Sequence, residues 1–322
     1  AAAGLAGLGL GHGDVMACWL GNRPEFHVAD TAAMHLGAAS FSIYETSAIE
    51  QAKHVVADSA ARILVTDAAY VEHAIAVRES GETALEHVVC VEGAAPEALG
   101  WDELLDAAPR RFDFEAAWRA VAPSDLATVI YTPGTTTPPK GVELTHANIS
   151  AQMLSLSERL GLPDGLRAVS FLPMAHIGER LCAHYLPMFH GWEVNCCADN
   201  GDLAGTITAV RPGFLFSPPR IWAKLRARIL ATSDESTRAE LSDAIERVRS
   251  EGVPPDGPVQ AAARASVGFD ELAVAVVGAA PCAPELIEFW HACGVALCEL
   301  YGMSEVTGAA TVAAPVTSLI PY

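Results

Sequence analysis

Short, unbroken apolar runs alternate along this chain with stretches in which apolar residues recur every three or four positions. The first rhythm suits a strand buried on both faces, the second a helix with one buried side. DVMACWL, residues 14–20, reads as such a strand. Asn22 and Pro24 then open a helix through Gly37, with Phe26, Ala29, Ala33 and Leu36 on one face. Strands are predicted at SFSIY, ARILVTD and HVVCVEG, separated by helices over 47–58 and 68–79. WDELLDAAPRRFDFEAAWRAVAPSD is predicted to be an acidic helical connector between subdomains. Further strands are predicted at LATVIYT, RAVSFL, WEVNC, FLFS, AVAVVG and ALCELYG, and helices over 146–160, 177–189, 218–231 and 235–250. EGVPPDGP reads as a surface loop. Parallel strands separated by helices predict an α/β fold with doubly wound, mostly parallel sheets and flanking helices. The expected division is a subdomain over 1–122 and another over 123–322.

Composition narrows the function classes. Hydrophobic residues make up 51% and charged residues 18% of the 322, a globular profile with enough chain for a large core. Acidic residues outnumber basic ones 39 to 20, giving a formal charge of -19, so nucleic acid is not an expected partner. A nucleotide pocket is still compatible, because it needs only local donors and a metal. The eight cysteines have no CxxC spacing and read as buried free thiols in a reducing cytosol. The longest apolar run, Leu272 to Ala283, is too short to span a bilayer and contains Gly278 and Pro281. The opening AAAGLAGLGLGHGD lacks a basic region, so it is expected to end a helix and turn into a strand rather than act as a signal. A first residue of Ala1 rather than Met leads us to expect sequence upstream.

Candidate chemistry begins at VIYTPGTTTPPKGVELTHANI, residues 129–149. After a buried strand, Thr132, Thr135, Thr136 and Thr137 supply hydroxyls, Gly134 and Gly141 flexibility, and Lys140 a positive charge. Such a loop suits a polyphosphate, although an ordinary Thr/Pro surface turn has the same composition. The common P-loop is disfavoured, because Pro139 precedes Lys140 and Gly141 follows it. In FLPMAHIGERLCAHYLPM, His176 falls between strand and helix, where a general base, a ligand contact and a helix cap are all open readings. Arg180 lies one turn later on the same face, with a salt bridge to an acid such as Glu179 as its alternative role. In AVAVVGAAPCAPELIEFW, the small residues Gly278, Ala279 and Ala280, with Pro281, would let a flat ring lie on the backbone, or simply make a tight turn. In ALCELYGMSEVTG, a strand delivers Tyr301, Gly302, Met303, Ser304 and Glu305: an aromatic that can stack, a hydroxyl that can donate and a carboxylate that can hold Mg2+.

The segment from Tyr131 to Gly141 resembles the signature of the adenylate-forming enzymes, which include acyl-CoA synthetases, luciferases and peptide-synthetase adenylation domains. Their pattern is roughly Tyr-Thr-Ser-Gly-Thr-Thr-Gly-x-Pro-Lys-Gly, and it is met here at Tyr131, Thr132, Gly134, Thr135, Thr136, Pro139, Lys140 and Gly141. LPMAHIGERL and RPGFLFSPPRIWAKL are similar to segments of the long-chain fatty acyl-CoA synthetases, and the likeness runs over nearly the whole chain in family order. The resemblance implies that the 132–140 loop clamps the β- and γ-phosphates of ATP. It implies that Gly278, Ala279, Ala280 and Pro281 lie beside adenine, that Tyr301 stacks on it next to Gly302, and that Ser304 contacts the α-phosphate. Glu305 would bind Mg2+ together with Thr132, and His176 would lie beside the acyl carboxylate; Arg180 is a second candidate substrate contact because it shares a helical face with His176. Glu305, His176 and Lys140 are the implied catalytic residues. Two positions depart from the pattern: Pro133 removes a backbone donor and Thr137 disfavours any positive φ, so weakened phosphate binding is expected.

The implied reaction is attack of a fatty carboxylate on the α-phosphorus of ATP with release of pyrophosphate, followed by acyl transfer to coenzyme A. Family members continue past this point into a ribose-binding aspartate segment and a small C-terminal domain with a lysine that assists adenylation. The chain is therefore expected to be most of an N-terminal domain, without that lid, and unable to complete thioester formation alone. Two alternatives stand beside this reading: an adenylation domain loading a carrier protein, and a non-catalytic nucleotide- or acyl-binding remnant. A cytoplasmic location is expected, with peripheral membrane contact, oligomeric state and acyl chain length left open.

Overall fold

The computed structural model describes residues 1–93, 95–109, 111–132, 138–252 and 256–313. The chain packs as two compact units, one of residues 1–151 with 172–180 and the other of 152–171 with 181–322. Among the described residues, the first unit holds a seven-stranded sheet. Its strands are β1 (Val15–Trp19), β2 (Ala39–Ser42), β3 (Ile63–Thr66), β4 (His87–Cys90), β5 (Leu99–Gly100), β6 (Leu126–Thr132) and β7 (Lys140–Thr145), in the order β5-β4-β3-β1-β2-β6-β7. All neighbours are parallel except β6 and β7. β6 and β7 lie beyond the boundary expected at residue 122, yet they complete this first sheet.

The core of this unit is what the two rhythms predict. Trp19, Phe41, Leu64 and Val88 from the strands meet Val55, Val56, Ala74 and Val77 from helices Ile49–Ser59 and Val71–Glu79, all buried. Each large apolar side chain so enclosed contributes about 1.5–3 kcal/mol. Helix Pro24–His35 carries Pro24 in its first turn and buries Phe26, Ala29 and Ala33, the face read from the sequence.

The second unit's sheet comprises β8 (Arg167–Ser170), β9 (Glu193–Cys196), β10 (Phe214–Ser217), β11 (Val274–Gly278), β12 (Leu297–Tyr301) and β13 (Thr311–Val312), in the order β13-β12-β11-β10-β8-β9. Only the β12–β13 pair is antiparallel. Trp222 on helix Pro219–Thr232, Trp290 on helix Pro284–Ala292 and Phe269 form a buried ring cluster, with centroids 5.2 Å apart between the tryptophans and 5.5 and 5.4 Å from Phe269. The expected doubly wound α/β architecture is thus the fold.

Several local expectations change. The acidic connector forms two short helices, Trp101–Asp106 and Phe114–Arg119, with Pro109 between them, where proline denies a continuous helix its hydrogen bond. The helix expected over 177–189 breaks into Ile177–Glu179, a wider-wound stretch Arg180–Tyr185, and Leu186–His190. Pro187 has no N–H to donate one turn back, which favours the looser winding before it. Lys140–Thr145, at the end of the loop read over 132–140 and given no element of its own, is strand, and Leu203–Val210 and Pro258–Ala265 are helices the apolar pattern did not single out. No helix among the described residues is long and apolar enough to cross a membrane. All eight cysteines are free thiols, six of them buried.

Candidate active site

The candidate residues divide between the units. In the first, β6 and β7 form a hairpin whose register pairs Thr132 with Lys140 and Tyr131 with Gly141. That pairing sets the two ends of the Thr-rich loop side by side. Gly134, Thr135, Thr136 and Thr137, with Pro133, lie outside the described residues. Thr132 is half-buried, and its hydroxyl reaches toward the Lys140 carbonyl at 3.5 Å. Lys140 is exposed, and among the described residues its ammonium has no ion-pair partner.

The shape of this hairpin has a packing cause. A Cβ at Gly141 would lie 2.7 Å from Val129 and 3.3 Å from the Tyr131 ring, so only glycine lets the strands close here. Tyr131 is buried edge-on against Phe41, centroids 5.1 Å apart, and its hydroxyl donates to Asp58 Oδ2 at 2.7 Å. Burial, then the Asp58 carboxylate, hold the Tyr131 phenol protonated far above its ordinary range. On the other stem, His54 Nε2–H donates to the Pro139 carbonyl at 3.2 Å. His54 and Asp58 were absent from the sequence reading. Their only sequence signal is a spacing of four on a helix that packs beneath the hairpin.

His176 caps a helix through one ring nitrogen, which is one of its three open readings. It is the residue before helix Ile177–Glu179, and its Nδ1 accepts from the Gly178 N–H at 3.0 Å. That bond assigns the neutral ring's proton to Nε2, leaving Nε2–H as a donor. Burial lowers the imidazole's pKa, which keeps it neutral. The next residue, Ile177, packs with Ile130, Val142 and Leu144 of the hairpin, so the fold brings the His176 segment and the Thr132–Lys140 hairpin together within one unit.

Arg180 requires a correction. Expected as a substrate contact, it has 0% of its side chain exposed. Its Nη1 donates to Asp30 Oδ1 at 2.6 Å, Nη2 to Ser42 Oγ at 3.0 Å and Nε to the Met174 carbonyl at 3.0 Å, and the guanidinium lies 5.2 Å from the Phe26 ring centroid. Ser40 also donates to Asp30 and approaches Arg180. A buried cation is tolerated only when paired in this way, so the side chain is committed to the core rather than to a ligand. Its acid partner is Asp30, 150 positions away in the chain. The Met174 bond ties Arg180 to the segment that presents His176.

In the second unit, β11 and β12 are parallel neighbours, with Gly278 opposite Leu300. The turn that follows Gly278 and the segment that follows Tyr301 therefore leave the same carboxyl edge of the sheet, where open α/β sheets bind ligands. A Cβ at Gly278 would meet the Leu300 carbonyl at 2.8 Å and the Phe216 ring at 3.1 Å. Ala279, at φ 63°, enters the left-handed region that favours glycine, and Ala279, Ala280 and Pro281 are all exposed. At Gly302 a Cβ would lie 1.5 Å from the Gly308 carbonyl oxygen, so no other residue fits. Tyr301 is 60% exposed, an unusual degree for a tyrosine at a strand end, and Glu305 is exposed while Ser304 is buried. Thr307, at φ 62°, closes the turn. The exposed Glu299 on β12, which the sequence reading passed over, accepts from the Cys282 N–H at 3.4 Å and so links the two segments. Its sequence signal was a lone acidic residue within the apolar run LCELY.

Among the described residues, no group of three or more His, Cys, Asp or Glu side chains is arranged to hold a metal ion. A carboxylate such as Glu305, exposed and with no ion pair among the described residues, still suits Mg2+, which keeps several waters and takes one or two carboxylates beside a substrate's phosphates.

A sequence model of the AMP-binding enzyme family matches residues 1–321. A relative from Mycobacterium tuberculosis that bears a fatty-acid–CoA ligase name, fadD11, is 38% identical over 243 residues, covering 69% of this chain and 43% of the relative. The long-chain-fatty-acid–CoA ligase FadD15 of the same organism is 32% identical over 333 residues, covering 96% of this chain and 54% of the relative. Among solved structures, a long-chain-fatty-acid–CoA ligase, FadD1, from Archaeoglobus fulgidus is similar at a TM-score of 0.71 and 25% identity, over 98% of this chain and 57% of that one. The chain thus spans about half the length of the curated relatives it matches.

Proposed function

The chain belongs to the AMP-binding enzyme family, and from that premise we propose that it carries the adenylate-forming part of a fatty-acid–CoA ligase. The observation that carries the reading is the shared carboxyl edge of β11 and β12, where a turn of small residues and the exposed Tyr301 ring leave adjacent strands. A flat purine can lie on the first and stack on the second. The fatty-acid names of the relatives support a fatty carboxylate as the acid, with coenzyme A as the acceptor. ATP, Mg2+ and coenzyme A are the proposed small-molecule partners.

The roles are assigned unit by unit. In the first, Lys140 offers a charge to phosphate and Thr132 a hydroxyl, and the Nε2–H of His176 is a donor suited to a carboxylate or adenylate oxygen. In the second, Tyr301 stacks on the base beside Gly278, Ala279, Ala280, Pro281 and Gly302, and Ser304 contacts the α-phosphate. Glu305 would hold Mg2+, which when bound neutralises phosphate charge. The acid's oxygen bonds to the α-phosphorus as the bond to pyrophosphate breaks, and the protein's share is positioning and charge neutralisation. A neutral His176 keeps its Nε2–H available as a donor to the acyl carboxylate.

The test is isotope exchange between pyrophosphate and ATP, with and without a fatty acid. Exchange that depends on the fatty acid supports the reading. ATP binding without exchange would instead favour a non-catalytic nucleotide-binding remnant, the alternative that Pro133 and Thr137 motivate. Supplying coenzyme A or a carrier-protein thiol to the loaded adenylate separates the two acceptors.

A further inference from the structure

Helix Ile49–Ser59 touches both stems of the Thr-rich loop from one face. His54 and Asp58 are four residues apart, so their side chains stand one above the other. Asp58 accepts the Tyr131 hydroxyl at 2.7 Å, on the stem that enters the loop. His54 donates to the Pro139 carbonyl at 3.2 Å, on the stem that leaves it. Between these contacts, the register Thr132 opposite Lys140 closes the base of the hairpin. Gly141 then lets β7 approach Val129 and Tyr131 closely enough for the tethers to reach.

The two bonds are chemically unequal. Tyr131 is buried and its phenol is held protonated, so its bond to the exposed Asp58 carboxylate is a charge-assisted anchor for the entering stem. The His54 bond ends on a backbone carbonyl at the loop's margin, one residue before the exposed Lys140. A bond at that point constrains the peptide that directs Lys140, whereas the Asp58 bond constrains the strand that directs Thr132.

We propose that His54 and Asp58 are positioning residues that hold the two stems of this hairpin, and that His54 in particular sets where Lys140 meets nucleotide phosphate. The phosphate part rests on the function proposed above, while the tether itself does not. His54 touches no substrate and acts through the Pro139–Lys140 peptide.

The experiment uses the 322-residue chain with His54→Ala and His54→Gln, the second of which keeps an N–H donor, and with Asp58→Ala on the other stem. Amide hydrogen exchange is read at Lys140, Gly141 and Val142, and ATP affinity is measured by titration calorimetry. His54→Ala is expected to speed exchange at those three amides and to weaken ATP binding, each about three- to tenfold, as loss of one hydrogen bond implies. His54→Gln should restore both, with the melting temperature of all His54 variants within about 2 °C of the parent. Asp58→Ala should act instead on Tyr131 and Thr132. Unchanged exchange in His54→Ala would overturn the tether. So would a glutamine variant that behaves like alanine, or exchange that rises evenly over the whole sheet. A parent chain that binds no ATP would defeat the phosphate-binding reading, and the exchange data would still decide the tether.

Discussion

Arg180 and Asp30, 150 positions apart, meet at 2.6 Å with neither side chain exposed to solvent. Around them lie Ser40, Ser42 and the buried thiol of Cys18, whose pKa burial pushes up to about 12, with the nearby Asp30 charge adding to the rise. Breaking such a pair leaves one buried charge uncompensated, at a cost of about 3–5 kcal/mol. Asp30→Ala or Arg180→Ala should therefore lower the urea midpoint sharply. Asp30→Leu combined with Arg180→Met should recover part of the loss. If either single variant unfolds at the parent's midpoint, the pair is not structural.

Lys140 is exposed and unpaired among the described residues, so its removal should spare the fold. Lys140→Ala is expected to melt within about 1 °C of the parent while binding ATP at least about tenfold more weakly, the scale of one charge-assisted hydrogen bond. Calorimetric titration beside a thermal melt checks both halves, and an unaltered ATP affinity would remove Lys140 from the site.

Gly302 tolerates no side chain, because a Cβ would lie 1.5 Å from the Gly308 oxygen. Backbone must move to admit even alanine, and overpacking of this kind costs about 1–3 kcal/mol or more. Gly302→Ala should lower the melting temperature and displace the Tyr301 ring, seen as a loss of ATP-induced fluorescence change. A variant with parent-like stability and binding would show that the turn is more pliable than its geometry implies.

Ala279 sits at φ 63°, where a Cβ costs roughly 1–2 kcal/mol. Ala279→Gly should stabilise the second unit by up to about 1 kcal/mol after glycine's extra chain entropy, and Ala279→Val should destabilise it. Chemical denaturation of both variants reads the sign, and equal midpoints would argue against strain at this turn.

Acid should destabilise the protein before its carboxylates titrate. His176, His146 and His291 are each held below the ordinary value of 6.5, mainly by burial. Below about pH 6.5 the unfolded chain binds protons that the folded chain refuses, so stability is complete above that pH and falls as pH drops toward the lowered values. Melting temperatures are expected to decline from pH 7.5 to 5.5, and His291→Gln should shallow the decline. A flat profile over that interval would contradict the assignment.

What the sequence determined by itself was whatever depends on neighbours along the chain. Buried strands and one-sided helices announce themselves through spacings of two to four residues, so helix Pro24–His35 and its face were legible, as was the order of the motifs through Tyr301 and Glu305. The short range of that signal also sets its limit. Lys140–Thr145 carries only a short alternation, Val142 and Leu144 on one side and Glu143 on the other, and β6 beside it makes that segment a strand. Arg180 looked like a ligand contact because nothing local revealed Asp30, and nothing local to His54 and Asp58 revealed the hairpin stems they hold. Hydrogen bonding and burial between distant segments decided those roles, and such contacts leave no period in a sequence.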